Sequence, residues 1–514
     1  MRGLVAVAPL LLIILCGISL GAEDTVDVFT VGDSTGDWGY PAPYVQYARG
    51  PGYIRMSMIF DTLVWKDQNG YVPALAEKWE MEGDDAYIFN LRRNVTWNDG
   101  EKFTAEDVVF TFDYIKQYPY QWVDSRPVKK VEALDDYTVK ISLNHTYAPF
   151  LDIIAGTMPI LPKHIYKDVS NPWEFWDDKA LVGTGPYKLV NYDKAQGTYL
   201  YQAYDGYYQG APKVKQLKFV KVSDDMAAAA LRKGDVDAAG VPPELAQDLK
   251  KEGFEVLEST QDMLCKLAIN HKKEPFSNVS FRMALAYAID RQSLVDSVLR
   301  GFGVPASPGL YSPQSEWYNP KVEQYAYDPL KAEGLLEEMG YIKDGQFFTK
   351  DGKILEVELL VDTSSERAGD LISQQLEKAG IKVNLRSVEY KTLDSLVGEW
   401  KFDLAMMSLG GMGGDPQALN GIIGMGWSFA SARYLEDERL NQLLSSQVLE
   451  LNEEKRKALI DEIQVVYAKD LPAIPLYYST SYWAYDGKVD LFYSKRGIAN
   501  GIPIALNKIS FVKG

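Results

Sequence analysis

The sequence predicts an α/β protein built from two lobes, and three observations lead to this fold class. The chain has 514 residues, too many for one hydrophobic core, because single cores stop growing near ~250–300 residues. Residues 355–388 read as strand, helix and strand with short links, which predicts parallel strands and a right-handed crossover. Two segments, at residues 263–270 and 475–478, are interpreted as passages between the lobes, and such a pair can act as a hinge.

The first half of the chain predicts a strand, a long loop and a small α+β unit. Val26–Val31 is strand-like, and the Gly-, Pro- and Tyr-rich run after it predicts a loop that reaches Tyr53. Thr104, with Asp107 three residues later, predicts a capping box at the start of a helix. We expect this helix to belong to a subdomain at about residues 61–185.

The second half alternates strands and helices. The run FRMALAYAIDRQSLVDSVLRG (281–301) has apolar residues at helical spacing between Met283 and Val298, which predicts one helix that stops at Gly301. Asp328 and Pro329 predict the start of the next helix. A buried strand at residues 402–408 and a last long helix at 452–469 complete the pattern of a second α/β lobe.

Composition excludes one class of partner. The formal net charge is −17 and the pI is about 4.8. Nucleic-acid binding needs a basic footprint, and no run of Lys and Arg supplies one. We therefore expect no nucleic-acid partner.

The start of the chain has the pattern of an export signal. Arg2 precedes an uncharged, apolar run from residue 3 to residue 22. Small residues at Ser19 and Gly21 predict cleavage after Gly21, so residues 1–21 form the signal peptide. An uncleaved anchor is the alternative, since ~20 apolar residues also span a bilayer. Cys16 invites a lipid-anchor interpretation, which the large residue before it disfavours.

Motifs for catalysis and for metal binding are absent from the sequence. The three histidines, His145, His164 and His271, lie far apart, and there is no HExxH, no Cys/His cluster and no GxSxG. The glycine-rich run at residues 410–415 lacks the Lys-Ser/Thr of a phosphate loop. Cys265 lies in an apolar, strand-like run, which favours a buried, inert thiol over a catalytic one. We predict no enzyme, no cofactor and no metal site.

Six runs, in order, resemble the extracellular solute-binding proteins of the peptide/nickel class, family 5, which serve ATP-driven (ABC) importers. They cover nearly the whole chain after its first ~50 residues, and read LAEKWE (75–80), FNLRRNVTWNDGEKFTAEDVVFTF (89–112), VGTGPYKL (182–189), FSNVSFRMALAYAIDR (276–291), YDPLKAEGLLEEMGY (327–341) and LPAIPLYY (471–478). The resemblance implies a two-lobed, periplasmic-binding-protein-like (Venus-flytrap) α/β fold with an extra α+β subdomain in the first lobe.

The resemblance also implies how the chain is divided and where it works. We expect lobe I at residues 22–265, lobe II at 266–478, and a return segment at 479–514 that completes lobe I. The expected partners are a small-molecule or peptide ligand and the ABC permease with its ATPase, for a protein that is itself a monomer. The expected location is the periplasm or the outer face of the cytoplasmic membrane, with a membrane tether as an alternative.

The loop after the first strand reaches the ligand cleft in the resembling family. This makes Asp33, Trp38 and Tyr40 candidates for ligand contact. A structural role in a solvated loop is the alternative for each of them.

The second candidate region follows the strand at residues 402–408. In the peptide binders of the family, an Asp three residues before an acidic-Pro pair holds the ligand's amino group. Here Met412 stands at that position before Asp415 and Pro416, so the amine-binding carboxylate is missing. Asp415 is either a helix cap or a ligand contact. Downstream, Trp427 is a candidate apolar wall, and Arg433 either pairs with a ligand carboxylate or forms a surface ion pair.

Several cargoes remain open at this point. A peptide is the first expectation, and a nickel–chelator complex, held by Arg and aromatic side chains, is the second. An oligosaccharide is third, because aromatic faces stack on sugars. A ligand sensor or a structural cell-surface protein with the same fold is the alternative from another functional class.

Overall fold

The computed structural model describes residues 25–259, 263–424, 431–503 and 505–512. Its strands, in chain order, are β1 (Val26–Asp33), β2 (Val64–Lys66), β3 (Tyr71–Pro73), β4 (Ala76–Glu82), β5 (Ala86–Leu91), β6 (Val128–Asp135), β7 (Thr138–Leu143), β8 (Tyr187–Asp193), β9 (Thr198–Ala203), β10 (Val214–Lys221), β11 (Ala238–Val241), β12 (Glu255–Glu258), β13 (Met263–Ile269), β14 (Gly303–Pro305), β15 (Ile342–Asp344), β16 (Phe347–Lys350), β17 (Lys353–Ile354), β18 (Glu356–Asp362), β19 (Lys382–Val388), β20 (Leu404–Leu409), β21 (Ala473–Ser479) and β22 (Tyr482–Tyr485).

The α-helices, in chain order, are α1 (Gly50–Ser57), α2 (Ala105–Gln117), α3 (Lys163–Tyr166), α4 (Asp224–Lys233), α5 (Pro243–Lys251), α6 (Val279–Ala288), α7 (Arg291–Ser297), α8 (Pro329–Glu338), α9 (Glu366–Lys378), α10 (Tyr390–Gly398), α11 (Ala418–Ile423), α12 (Glu438–Gln447), α13 (Glu453–Asp470) and α14 (Ile509–Val512). Across the ranges described above, no helix has the length and apolarity needed to cross a membrane.

A seven-stranded sheet organises the first lobe, in the order β12-β22-β11-β1-β10-β9-β8. Strand β1 runs parallel to β10 and β11, whereas β22 pairs antiparallel with both of its neighbours. The C-terminal segment also packs into this lobe. Trp65 donates to Asn507 at 2.9 Å, and Lys508 forms a buried ion pair with Asp61. The last part of the chain is therefore an integral part of the first lobe.

The subdomain of the first lobe is an antiparallel sheet, β4-β5-β7-β6, with α2 packed against it. Its core includes Trp97, Phe103 and Phe112, each no more than 1% exposed. The Thr104 N–H donates to Asp107 Oδ2 at 2.9 Å, which confirms the predicted capping box at the start of α2.

A six-stranded sheet, β14-β21-β13-β20-β18-β19, organises the second lobe. Strand β18 is parallel to β19, with α9 between them in the chain, so the predicted strand–helix–strand unit is confirmed. The helix predicted at residues 281–301 was wrong as a single element, because the structure has two helices there. Ile289 is extended, and Asp290 caps a new helix, α7, by accepting from Ser293 N–H at 3.1 Å.

The loop after β1 is shorter than predicted. Helix α1 begins at Gly50, because Pro51 fits the first helical turn, where its missing N–H needs no partner.

The passages between the lobes lie a few residues away from the predicted segments. Residues 263–269 and 473–479 are strands β13 and β21 of the second sheet. The chain passes between the sheets after Glu258 and again between Ser479 and Tyr482. The two passages touch, since Ser259 N–H donates to the Ser481 carbonyl at 2.9 Å and Ser481 N–H donates to Ser259 Oγ at 2.8 Å. The two passages are therefore paired side by side where the chain moves between the sheets.

Candidate ligand-binding site

A cavity of about 1220 Å³ lies where the subdomain faces the second lobe. Its subdomain wall comes from residues 119–128, between α2 and β6, together with His145, Tyr147 and Ile153. The opposite wall comes from α11, α12 and Leu449, and Asn500 adds the C-terminal segment. The cavity is large for a small-molecule pocket, for which ~300–1000 Å³ is usual. It is therefore the candidate ligand-binding site.

Aromatic side chains form much of the subdomain wall. Tyr120 and Tyr147 are 3% and 4% exposed, and burial raises the pKa of both phenols well above the ordinary value. The Trp122 ring packs edge-on against Tyr53, with centroids 5.2 Å apart. The wall therefore presents apolar rings and neutral hydroxyl groups, which suits an amphiphilic ligand.

The charged groups of the cavity are mostly cationic. Asp124 is paired with Arg126, whose Nη2 lies 2.6 Å from Oδ2. Burial acts to raise the pKa of Asp124, but the hydrogen bonds and charge of Arg126 outweigh it, and the pKa is lowered. Lys116 also lines the cavity, 3.6 Å from Asp113, and His145 lies nearby. Within the ranges described above, no group of three or more His, Cys, Asp and Glu is arranged to hold a metal ion.

Asp415 lies behind the second-lobe wall of the cavity, where it forms a buried ion pair with Arg456. Its two oxygens lie 2.8 and 2.5 Å from the guanidinium of Arg456, and Oδ1 also accepts from Gln417 N–H at 2.8 Å. Both side chains of the pair are 8% exposed. Gln447 accepts from Arg456 and donates to Asn420, which lines the cavity. Asp415 therefore holds α11 in place through a buried network.

The three candidates after β1 pack into the first lobe. Asp33 accepts from Trp38 Nε1 at 3.1 and 3.0 Å and from Arg55 Nη2 at 2.8 Å. Trp38 and Tyr40 are 7% and 8% exposed, and the Tyr40 ring packs against Trp176 at 5.7 Å. Burial raises the pKa of Tyr40 to about 12, with Asp178 and Asp177 adding to the shift. None of the three is among the described residues that line the cavity.

The remaining candidates lie in the second lobe. Met412 is 2% exposed in a core cluster that also contains Leu264 and Leu409. Arg433 donates to the carbonyls of Val397 and Gly398 at 2.6 and 2.7 Å, so it caps the C-terminus of α10. Trp427 lies outside the described residues. For all seven candidates, contact with a ligand stays a prediction.

Sequence reasoning missed the residues that form the cavity itself. The run from Pro119 to Pro127, PYQWVDSRP, is irregular and carries two aromatic residues between a helix and a strand. Such a loop is a signal for a binding surface. Asn500 had no local signal, because it reaches Trp122 across 378 residues of chain.

A set of contacts that we call the latch joins the lobes through described residues that do not line the cavity. Arg49, before α1, places Nη2 2.5 Å from Asp394 Oδ1 on α10, and Tyr47 donates to the same carboxylate at 3.1 Å. The Arg49 guanidinium also lies 4.7 Å from the centroid of the Tyr390 ring. Lys391 lies 4.9 Å from the centroid of the Tyr47 ring. The latch exists only while the two lobes are together.

Two further contacts cross between the lobes. The Ala148 N–H of the subdomain donates to the carbonyl of Val448 at 2.8 Å. Gly414 packs so closely on Gly501 that a β-carbon on Gly414 would lie 2.6 Å from the Gly501 Cα. The glycine-rich run at 410–415 therefore serves close packing between the lobes.

Comparison with known proteins places the chain in a family. The model "Bacterial extracellular solute-binding proteins, family 5 Middle" matches residues 70–424. Heme-binding protein A of Haemophilus influenzae is 30% identical over 443 residues, covering 80% of this chain and 79% of that protein. The dipeptide-binding protein of Escherichia coli is 30% identical over 374 residues, covering 67% and 68%.

A solved structure agrees with the family model. NikZ from Campylobacter jejuni, in complex with Ni(L-His), superposes with a TM-score of 0.81 at 25% identity, covering 96% of this chain and 100% of that one. The family model alone spans more than half of the 514 residues. The two-lobed α/β fold expected from the sequence is thus confirmed, and the chain belongs to family 5 of the bacterial extracellular solute-binding proteins.

Proposed function

We propose that this protein is the exported substrate-binding component of an ABC importer and that it captures a peptide in the cavity between subdomain and second lobe. The observation that carries the proposal is the cavity itself, whose volume of about 1220 Å³ has room for several amino-acid residues. Because its walls belong to both lobes, a ligand there contacts both, and binding favours the closed arrangement. A membrane permease with its ATPase would read that closure.

The cargo proposal is supported by the chemistry of the walls. Buried tyrosines, Trp122 and the amide group of Gln417 offer apolar surface with a few polar groups, as peptide capture needs. The similarity to the dipeptide-binding protein of E. coli points the same way. No catalytic role is assigned to any residue.

The proposal includes the organisation expected from the sequence. The boundaries of the lobes move a few residues from those expected at 265 and 479, because the strands of the second sheet run from Met263 to Ser479 and the two passages meet where Ser259 contacts Ser481. Residues 1–21 act as the export signal, and the protein works as a monomer in the periplasm or at the outer face of the membrane.

A nickel–chelator complex is the second candidate. Lys116 and Arg126 on the cavity wall are suited to the carboxylates of a chelator, and NikZ was solved with Ni(L-His). Because Lys116 and Arg126 can pair with carboxylates, which a neutral oligosaccharide lacks, they favour the nickel–chelator complex over an oligosaccharide.

The test combines native mass spectrometry and metal analysis of the purified protein with binding of a degenerate tetrapeptide library. We expect the library to yield retained peptides and small-angle scattering to show a smaller radius of gyration on binding. Retention of Ni(L-His) with no peptide retained would contradict the peptide proposal and favour the second candidate. An unchanged radius of gyration with a tightly bound ligand would contradict closure.

A further inference from the structure

The two walls of the cavity differ in charge. Among the described residues that line it, Lys116, Asp124 and Arg126 carry the charged side chains, and all three belong to the subdomain. The lining residues of the second lobe fall between Gln417 and Leu449, and each of those that the structure describes is uncharged. A ligand held between the walls therefore meets charged groups on one side and uncharged groups on the other.

The uncharged wall does not follow from local composition. Residues 417–449 include five charged residues, namely Arg433, Glu436, Asp437, Glu438 and Arg439. None of these five is among the described residues that line the cavity. Arg433 donates to two carbonyls at the end of α10, and Asp437 accepts a backbone N–H at 2.6 Å at the start of α12. Arg439 places Nη2 2.6 Å from Glu462 Oε1. The charges of this segment are thus directed to other parts of the second lobe.

Polar side chains on this wall are hydrogen-bonded to their own neighbours. Asn441 Nδ2 donates to the Leu435 carbonyl at 2.9 Å, and Ser445 Oγ donates to the Asn441 carbonyl at 2.8 Å. Asn420 donates to a backbone carbonyl of α12 and accepts from Gln447, at 2.9 Å in both bonds. Much of the hydrogen-bonding capacity of these side chains is used inside the second lobe, so this wall offers a ligand mainly apolar surface.

Two leucines supply exposed apolar surface on the second-lobe wall. Leu435 and Leu449 line the cavity and are 48% and 42% exposed. One precedes α12 and the other follows it, so apolar surface is offered beyond each end of the helix. Leu449 comes directly after Val448, whose carbonyl accepts from the Ala148 N–H of the subdomain at 2.8 Å, so it lies close to where the two walls meet.

We propose that Leu435 and Leu449 select peptides whose side chains facing the second lobe are apolar, and that they disfavour Lys, Arg, Asp and Glu there. An apolar side chain packed on these leucines removes apolar surface of both partners from water, which favours binding. A charged side chain in the same place loses its hydration and gains no partner of opposite charge from the wall. This inference rests on the peptide proposal above and names the class of peptide.

The first test reads the composition of the peptides that the wild-type protein retains from the degenerate tetrapeptide library. Mass-spectrometric sequencing compares the residue types at each of the four positions with those of the input library. We expect at least one position to be enriched in Leu, Ile, Val, Met and Phe, and depleted in Lys, Arg, Asp and Glu, by about fivefold or more. Retained peptides that match the input at all four positions would overturn the inference and leave peptide capture standing.

The second test uses two variants and one matched control in the full chain. Leu435→Glu and Leu449→Glu each place a carboxylate on the second-lobe wall, at a side chain that is already half-exposed. Leu451→Glu adds the same charge at a leucine that is 41% exposed and is not among the described residues that line the cavity. Thermal melting establishes that each variant is folded.

The probe is the tetrapeptide that the wild-type protein retains most tightly, with analogues in which one apolar side chain at a time is replaced by Lys or by Glu. We expect Leu435→Glu and Leu449→Glu each to bind the parent peptide about tenfold more weakly than the wild-type protein does. One Lys analogue should bind at least one of these variants about tenfold more tightly than it binds the wild-type protein, because the new carboxylate pairs with its ammonium group, whereas the matching Glu analogue should not. Leu451→Glu should bind every peptide as the wild-type protein does.

Separate outcomes distinguish this inference from the function on which it rests. If the parent tetrapeptide binds both cavity variants as tightly as the wild-type protein, the two leucines do not select the ligand, and peptide capture still stands. The same conclusion follows if the Lys and Glu analogues all bind the wild-type protein as tightly as the parent peptide, a measurement that needs no variant. If the wild-type protein retains no tetrapeptide, peptide capture is wrong and the inference falls with it.

Discussion

Breaking the latch should weaken ligand binding without changing any described residue that lines the cavity. Arg49 and Asp394 are 12% and 7% exposed, so they meet largely out of water. Two unit charges ~4 Å apart attract by about 4 kcal/mol at an effective dielectric constant of ~20. The desolvation of both groups offsets much of this attraction. Burial indeed raises the pKa of Asp394 despite the opposing effect of Arg49, so the intact pair adds little net free energy to closure.

Removing Arg49 should cost more free energy than the intact pair contributes, because it leaves the buried carboxylate of Asp394 without its cation. For Arg49→Met we expect the closed state to lose about 2 kcal/mol, which is less than the ~3–5 kcal/mol of a fully buried pair, because Tyr47 still donates to Asp394. Since 1.4 kcal/mol is a factor of ten, the dissociation constant of the retained tetrapeptide should rise about 30-fold. Adding Asp394→Asn removes the orphaned charge and keeps an acceptor for Tyr47, so the double variant should return to within about threefold of the wild-type protein.

Isothermal titration calorimetry with that tetrapeptide measures both effects, and scattering reports the fraction of closed protein. Arg232→Met is the matched control, because Arg232 makes a two-pronged pair with Glu252 that is 42% and 41% exposed and lies within one lobe. It should leave affinity unchanged. The reasoning is refuted if Arg49→Met binds within twofold of the wild-type protein, or if the double variant is as weak as the single one.

Three further predictions concern stability and reactivity. Arg456→Ala should lower the free energy of unfolding by about 3 kcal/mol, because it leaves the buried carboxylate of Asp415 unpaired, and urea denaturation that shows less than about 1 kcal/mol would contradict this. Burial lowers the pKa of His271 below 6.5, against the opposing effects of the Ala432 carbonyl and Glu436, so the unfolded chain binds more protons there and stability falls as the pH drops below 6.5. The substitution His271→Gln should make the melting temperature depend less on pH between pH 5 and 7. If the melting temperature of the variant changes with pH as steeply as that of the wild-type protein, His271 is not the cause of the pH dependence. Burial raises the pKa of Cys265 to about 11, so in a Cys16→Ser background a thiol reagent at pH 8 should label it only after unfolding.

Sequence patterns spanning a few residues correctly predicted the helices and strands that depend on short-range interactions. The strand–helix–strand unit at β18, α9 and β19 follows from hydrophobic periodicity, and the capping box of α2 follows from two residues at fixed spacing. Both are short-range signals, because hydrogen bonds within a few residues produce them. The break between α6 and α7 was missed because the apolar spacing continues through it, although Asp290 carries an N-cap signal.

The site was harder to predict, because it depends on which residues meet across the fold. Asp415 and Arg433 have the residue types of ligand contacts, but their observed partners, Arg456 and the end of α10, lie 41 and 35–36 residues away, where no local pattern reveals them. The cavity joins residues of the subdomain, α11, α12 and Asn500, which share no local pattern. Proximity of this kind is a property of the tertiary structure alone.

Strand β22 has a consequence for the order in which the protein is made. It lies between β11 and β12, so the sheet of the first lobe is incomplete until the ribosome has passed residue 485. The strands of the second lobe fall within one continuous stretch, from Met263 to Ser479. Strands this distant in sequence pair slowly, because the chain between them must lose conformational entropy before the pairing contributes favourable free energy. The nascent first lobe therefore stays unfinished through most of synthesis, which is the condition that the export proposed above requires.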